Sequence, residues 1–148
     1  RRIMATNLDG VFFTLREAAK SMVARAKTGD LGGSLVGTAS LAGIEGAGRN
    51  QAYAHTKGGL IAMMNAIAVE YGRYNIRANS ILPGWIATDM TEGAQGNDVF
   101  ATKVITRVPI RRWGEPADFG GIAVYLASDA SKYHSGDTLV VDGGYAKF

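Results

Sequence analysis

Ser34-Leu35-Val36-Gly37-Thr38-Ala39 is a short, mostly apolar run lying between two stretches of helical period, and it reads as a strand. Upstream, a helical pattern from about Ile3 to Arg25 is ended by a polar, glycine-containing loop (Lys27, Thr28, Gly29, Asp30, Gly32, Gly33). Downstream, Ser40-Leu41-Ala42-Gly43 enters a glycine-rich loop through Gly46 and Gly48. From about Ala52 to Arg73, Leu60, Met63, Met64, Ile67, Ala68 and Tyr71 recur at the spacing of one helix face. A second strand is expected over Arg77 to Leu82, closed by Pro83-Gly84, and a third over Thr138 to Val141, stopped by Asp142-Gly143-Gly144. Glu115-Pro116 opens a further helix, its proline near the first turn, where the missing N–H has no intrahelical partner to lose. Met90 to Gly114 is less regular and reads as a loop with a short helix, the usual place for a substrate lid.

Helices alternating with short apolar strands imply βα units and a parallel sheet covered on both faces, so the expected class is α/β, Rossmann-like and doubly wound, with about three strands. Ligands bind beyond the carboxyl ends of such strands, so Ser40 and Pro83-Gly84 should face one crevice. No internal repeat or boundary divides residues 1–148, which are expected to form one partial domain. The net charge of +3 is small and its cations are interspersed with Asp and Glu, which argues against a nucleic-acid-binding stripe; Arg111-Arg112 reads as a solvated pair. There is no cysteine, so thiol catalysis and thiolate metal sites are excluded, and two separated histidines make no metal centre. The apolar stretches are too short to span a bilayer, and the expectation is a soluble, cytoplasmic chain.

Tyr53 and Lys57 are four residues apart on the long helix, which stacks them about one turn apart on one face. A free phenol with a pKa near ~10 exchanges protons poorly at neutral pH, and an ammonium beside it favours the phenolate. Tyr53 could then protonate a carbonyl oxygen or deprotonate an alcohol, although Tyr-x-x-x-Lys is common by chance and, taken alone, the pair is better read as a plain exposed helix face. His55, two positions from Tyr53, should point away, and His134 reads as a surface loop residue. Trp85 and Trp113 flank the expected lid and suit either a substrate pocket or a packing role. Gly58-Gly59 within a helix is costly and implies close packing against something.

Several segments together resemble the short-chain dehydrogenase/reductase family, and the resemblance covers essentially the whole chain. Thr38-Ala39-Ser40-Leu41-Ala42-Gly43 is similar to its catalytic serine segment, and Ser40 precedes Tyr53 by thirteen residues. Asn7-Leu8-Asp9-Gly10-Val11-Phe12-Phe13 resembles its helix asparagine segment, and Tyr53-Ala54-His55-Thr56-Lys57-Gly58-Gly59-Leu60 its tyrosine and lysine segment. The run from Ile76 through Pro83-Gly84-Trp85-Ile86-Ala87-Thr88 to Met90 is similar to its cofactor-facing strand and loop, and Leu139 to Gly144 to its closing strand. The resemblance implies an oxidoreductase that moves a hydride between NAD or NADP and a carbonyl or secondary alcohol, with general similarity to 3-oxoacyl carrier-protein reductases. It implies Tyr53 as proton donor and acceptor, Ser40 binding the substrate oxygen, Lys57 acting on Tyr53 and on the nicotinamide ribose, and Asn7 anchoring a water that resupplies the proton. Pro83, Gly84, the Ile86 backbone and Thr88 would face the nicotinamide half; for Thr88 a cap of the next segment is the alternative. A homodimer or homotetramer through the helices around Phe12 to Met22 and Gly58 to Tyr71 is also implied, with Gly58-Gly59 at the contact.

The family's Gly-x-x-x-Gly-x-Gly phosphate loop and Asn-x-Ala-Gly segment do not occur in this sequence, and Glu45-Gly46-Ala47-Gly48 does not replace them. The chain is therefore expected to be the C-terminal catalytic portion, beginning near the family's fifth helix, with the N-terminal cofactor-binding strands missing and the Leu35 to Thr38 edge open. On its own it should neither hold the dinucleotide nor turn over. The alternative reading is a truncated, non-catalytic relative acting through association alone.

Overall fold

The computed structural model describes residues 1–147. Three parallel strands, β1 (Gly33–Thr38), β2 (Ile76–Pro83) and β3 (Thr138–Val141), form one sheet in the order β1-β2-β3. Thr38 pairs with Ile81 and Pro83 with Val141, so all three strands deliver their carboxyl ends to the same side. The central strand is buried along nearly its whole length, and the polar atoms it carries inward need partners. Asn79 finds them in the loop before β3: its Nδ2 donates to the His134 carbonyl at 2.9 Å, and its Oδ1 accepts from the Asp137 N–H at 3.0 Å. Among the described residues no strand pairs with the outer edge of β1, and Val36 and Thr38 are exposed.

The first helical region begins as α1 (Arg2–Met4), passes through a π-helical turn at Ala5–Gly10, and continues as α2 (Val11–Ala26). A single helix over Ile3 to Arg25 was the expectation; the π turn interrupts it where Asn7 stands. Where a glycine-rich loop was expected after Ser40, a four-residue helix α3 (Ala42–Glu45) intervenes. The long helix α4 (Gln51–Tyr71) buries Thr56, Leu60, Met64 and Ile67 against the sheet. Gly37 of β1 makes that approach possible, because a Cβ there would lie 2.9 Å from Met64 Cγ. Met64 is fully buried, worth about 1.5–3 kcal/mol on transfer from water. After α4, a 3-10 turn (Gly72–Tyr74) ends at Asn75 in the left-handed region (φ 59°), which asparagine adopts more readily than most residues, and the chain enters β2.

The segment after β2 is more ordered than its sequence suggests. It holds α5 (Glu92–Gln95) and the ten-residue α6 (Asp98–Arg107), whose N-cap Asn97 accepts the Phe100 N–H at 3.0 Å. The helix expected at Glu115-Pro116 opens as a 3-10 turn (Pro116–Phe119) and becomes α7 (Gly120–Ala127).

Two expectations about single residues change. Gly58 and Gly59 pack within the chain itself: a Cβ on Gly58 would lie 3.3 Å from the Gly43 carbonyl oxygen, and one on Gly59 2.9 Å from Leu8 Cδ1. Their absent side chains let α3 and the π turn sit on α4. His134 is likewise more than a surface residue, since its ring bridges Asp137 (2.8 Å) and the Tyr125 hydroxyl (3.0 Å). No helix among the described residues is long and apolar enough to cross a membrane.

Candidate active site

A cleft of about 640 Å³ opens at the carboxyl ends of β1 and β2. Ser40 and the α4 residues Tyr53 and Lys57 line one side; Pro83, Gly84, Ile86 and Thr88 line the other. These seven residues were singled out from sequence, and the fold brings them to one concavity for a local reason in each case. Ser40 follows β1 directly, and its Oγ accepts the Ala42 N–H at 3.2 Å, which fixes the start of α3. Tyr53 and Lys57 share a face because they are one helical turn apart. Gly84 leaves β2 so close to the turn after β3 that a Cβ would lie 2.6 Å from Asp142 Cβ, so no other residue fits there without moving that turn.

The Lys57 ammonium lies 5.6 Å from the Tyr53 ring centroid and donates to the Thr38 carbonyl at 2.8 Å. It is thus held by the end of β1 as well as by its own helix. Burial disfavours the charged form and lowers its pKa below that of an ordinary lysine. Thr88 is the N-cap of the 3-10 turn Asp89–Thr91, and its N–H donates to Thr91 Oγ1 at 3.1 Å. Thr88 and Thr91 form a capping box at this turn, so the capping alternative holds, and Thr88 borders the cleft as well. The Ile86 carbonyl accepts from Thr91 Oγ1 at 2.6 Å, so a backbone contact from Ile86 to a ligand falls to its N–H.

Asn7 is not part of the cleft wall. It borders a separate hollow with Leu8, Asp9, Phe12 and Gly59, and its Nδ2 donates to Thr56 Oγ1 at 3.5 Å. Thr56 Oγ1 in turn donates to the Tyr53 carbonyl at 2.8 Å. Asn7 therefore reaches α4 away from the cleft, through the buried Thr56.

Sequence reasoning missed the wall supplied by Pro116, Phe119 and Ala123, which lie in the cleft with Met90. The proline was visible as a helix opener, but that α7 returns across the sheet is a tertiary fact. Trp85 faces away from this cleft into an aromatic cluster, with ring centroids 5.2 Å from Phe100, 5.8 Å from Trp113 and 6.5 Å from Tyr145. Arg112 is no free surface cation: it clasps Asp118 at 2.7 and 2.8 Å and pulls that carboxyl down to about 2.

Residues 1–146 match the family model described as enoyl-(acyl carrier protein) reductase. L-rhamnose 1-dehydrogenase (NAD(P)(+)) of Azotobacter vinelandii is 37% identical over 97% of this chain and 54% of its own length. 2-Dehydro-3-deoxy-D-gluconate 5-dehydrogenase of Escherichia coli K12 is 35% identical over 97% and 55%. Among solved structures, a gluconate 5-dehydrogenase from Burkholderia cenocepacia in complex with NADP and tartrate superposes with a TM-score of 0.92 at 32% identity, covering 98% of this chain and 55% of that one. The chain spans about half the length of the curated relatives it matches.

Proposed function

The chain belongs to the short-chain dehydrogenase/reductase family, and from that premise we propose that it is the catalytic portion of an NAD- or NADP-dependent dehydrogenase acting on the CH–OH group of a small molecule. The observation that carries this reading is the meeting of Ser40, Tyr53 and Lys57 on one wall of a cleft whose other wall is the Pro83 to Thr88 turn. The relatives' substrates point to a sugar or a sugar acid as the molecule oxidised.

The residues present fit the nicotinamide half of the cofactor. The cleft is roomy enough for that half, and at Gly84 the backbone itself forms the wall. Lys57 would hold ribose hydroxyls, the Ile86 N–H the carboxamide, and Thr88 the neighbouring phosphate. Bound there, the nicotinamide supplies the acceptor for the hydride. Ser40 Oγ donates to the substrate oxygen and keeps it in line with Tyr53. As the C–H bond breaks, the Tyr53 phenolate takes the hydroxyl proton; in the reverse direction the phenol returns it. Thr38 holds the Lys57 ammonium beside the Tyr53 ring, and Asn7 steadies the backbone of that helix turn through Thr56. Self-association as a homodimer or homotetramer through α2 and α4 belongs to the same proposal, supported by the outward-facing Phe12 and Phe13.

The test is to supply the complete protein with NAD or NADP and a panel of aldoses, aldonic acids and secondary alcohols, following nicotinamide absorbance. Reduction that requires Tyr53 supports the reading, and no turnover with any of the panel counts against it.

A further inference from the structure

Arg107, the last residue of α6, meets two segments that come from distant parts of the chain. Its guanidinium carbon lies 4.0 Å from the Tyr145 ring centroid, its Nη1 donates to Tyr145 Oη at 3.1 Å, and its Nη2 is 4.0 Å from Glu45 Oε2. Both partners are anchored. Tyr145 stands in the turn after β3, where Asp142 Oδ1 and Oδ2 accept the N–H groups of Gly144 and Ala146 at 2.8 and 2.7 Å. Glu45 ends α3, five residues beyond Ser40, and α3 is seated on α4 so closely that a Cβ on Gly43 would meet the Lys57 and Gly58 backbone at 2.9 Å. Glu45 is therefore an extension of the serine segment, Tyr145 an extension of the sheet, and α6 is the element brought to them.

We propose that Arg107 is a positioning residue, which latches α6, the helix that follows the cleft-lining Met90 and Thr91, to Glu45 and Tyr145 and so sets the affinity for substrate without touching the reacting atoms. The inference rests on the dehydrogenase reading above. An exposed ion pair at 4.0 Å contributes little by itself, but the same cation also stacks on a ring and donates to that ring's hydroxyl. Arginine suits the position because its planar fork can do all three at once, which a lysine point charge does only in part. Half-exposed side chains hold the contact, so it opens at small cost, as a lid must for substrate to enter.

The complete protein carrying Arg107→Met, Arg107→Lys or Glu45→Gln provides the test, read by amide hydrogen exchange without substrate and by steady-state kinetics. Arg107→Met should speed exchange over residues 98–107 by about tenfold and raise the substrate KM by a similar factor, with kcat within about threefold and the cofactor KM unchanged. Arg107→Lys should restore part of both effects, and Glu45→Gln should reproduce the smaller share. Unchanged exchange and unchanged KM in Arg107→Met would overturn the latch; so would acceleration spread equally over α4 and β2, which marks general destabilisation. If the wild-type protein oxidises nothing, the dehydrogenase reading fails separately. Exchange then still decides the latch: acceleration confined to α6 and reversed by lysine upholds it, and none overturns it.

Discussion

Where α4 borders the cleft, its contacts run through glycine and backbone: Gly43 against Gly58, Leu8 on Gly59, and the Lys57 ammonium on the Thr38 carbonyl. Around the expected lid, Met90 to Gly114, and its flanks, a backbone bridge joins Ile86 to Gly114, but the other contacts are made by the ends of large side chains: Trp85 on Phe100 and Trp113, Arg107 on Tyr145, Arg112 on Asp118. Close-packed backbone has one arrangement and no slack, whereas aromatic edges and exposed ion pairs can slide and re-form. On the proposed function, the wall that would place a proton to within a fraction of an ångström is built the first way, and the wall that would admit a substrate the second.

The sharpest way to probe the rigid wall is to remove its chemistry and leave its shape. Tyr53→Phe is expected to lower turnover by about a hundredfold or more while circular dichroism and cofactor binding stay unchanged, because only the hydroxyl is lost. A fall of only a few fold would mean that the proton is handled elsewhere. Gly43→Ala attacks the shape instead. The new methyl would press on Lys57 and Gly58 backbone that cannot move aside, and denaturant unfolding should show a loss of about 1–3 kcal/mol. Stability equal to wild type would show that α3 can lift off α4 and that the contrast with the lid is overstated.

Two milder changes address the lid. Trp85→Ala removes the ring that Phe100, Trp113 and Tyr145 share, and should cost about 1–2 kcal/mol while leaving exchange protection in β2 intact. The smallest effect concerns pH. Arg112 holds the folded Asp118 carboxyl near 2, below its ordinary value of 3.8, so the stabilisation from this pair is fully present above about pH 4 and is lost as pH falls toward 2. Asp118→Asn should therefore lower stability by a small, constant amount above about pH 4 and by progressively less toward pH 2, as measured by thermal melts across pH.

Much of this was legible because it is local. The strands over Ser34 to Ala39, Arg77 to Leu82 and Thr138 to Val141 were each readable within a residue or two from apolar runs stopped by glycine or proline, and the four-residue step from Tyr53 to Lys57 already implies a shared helix face. The lid was not readable in this way. Arg107 and Tyr145 are 38 residues apart and Trp85 meets Phe100 across a turn, so neither contact has a periodic signature. Phe119 and Ala123 reach the cleft only because α7 crosses the sheet. The four-residue α3 was hidden by the glycines around it, which argue for a loop unless the seat on α4 is known.

The π turn at Ala5–Gly10 changes how the first helical region counts its residues. An α-helix advances about 100° per residue, and a wider turn amounts to one residue spliced in, so positions before and after it are out of phase by roughly that angle. Leu8 is thereby aimed at Gly59 while Leu15 and Ala19, further along, still face the core. A single-residue deletion anywhere from 5 to 10 would leave a more regular helix with a worse fit: one phase would serve where two are needed, and either the Asn7 amide would swing away from Thr56 or the buried stripe of α2 would turn toward water. Frame, rather than composition, is what this stretch encodes.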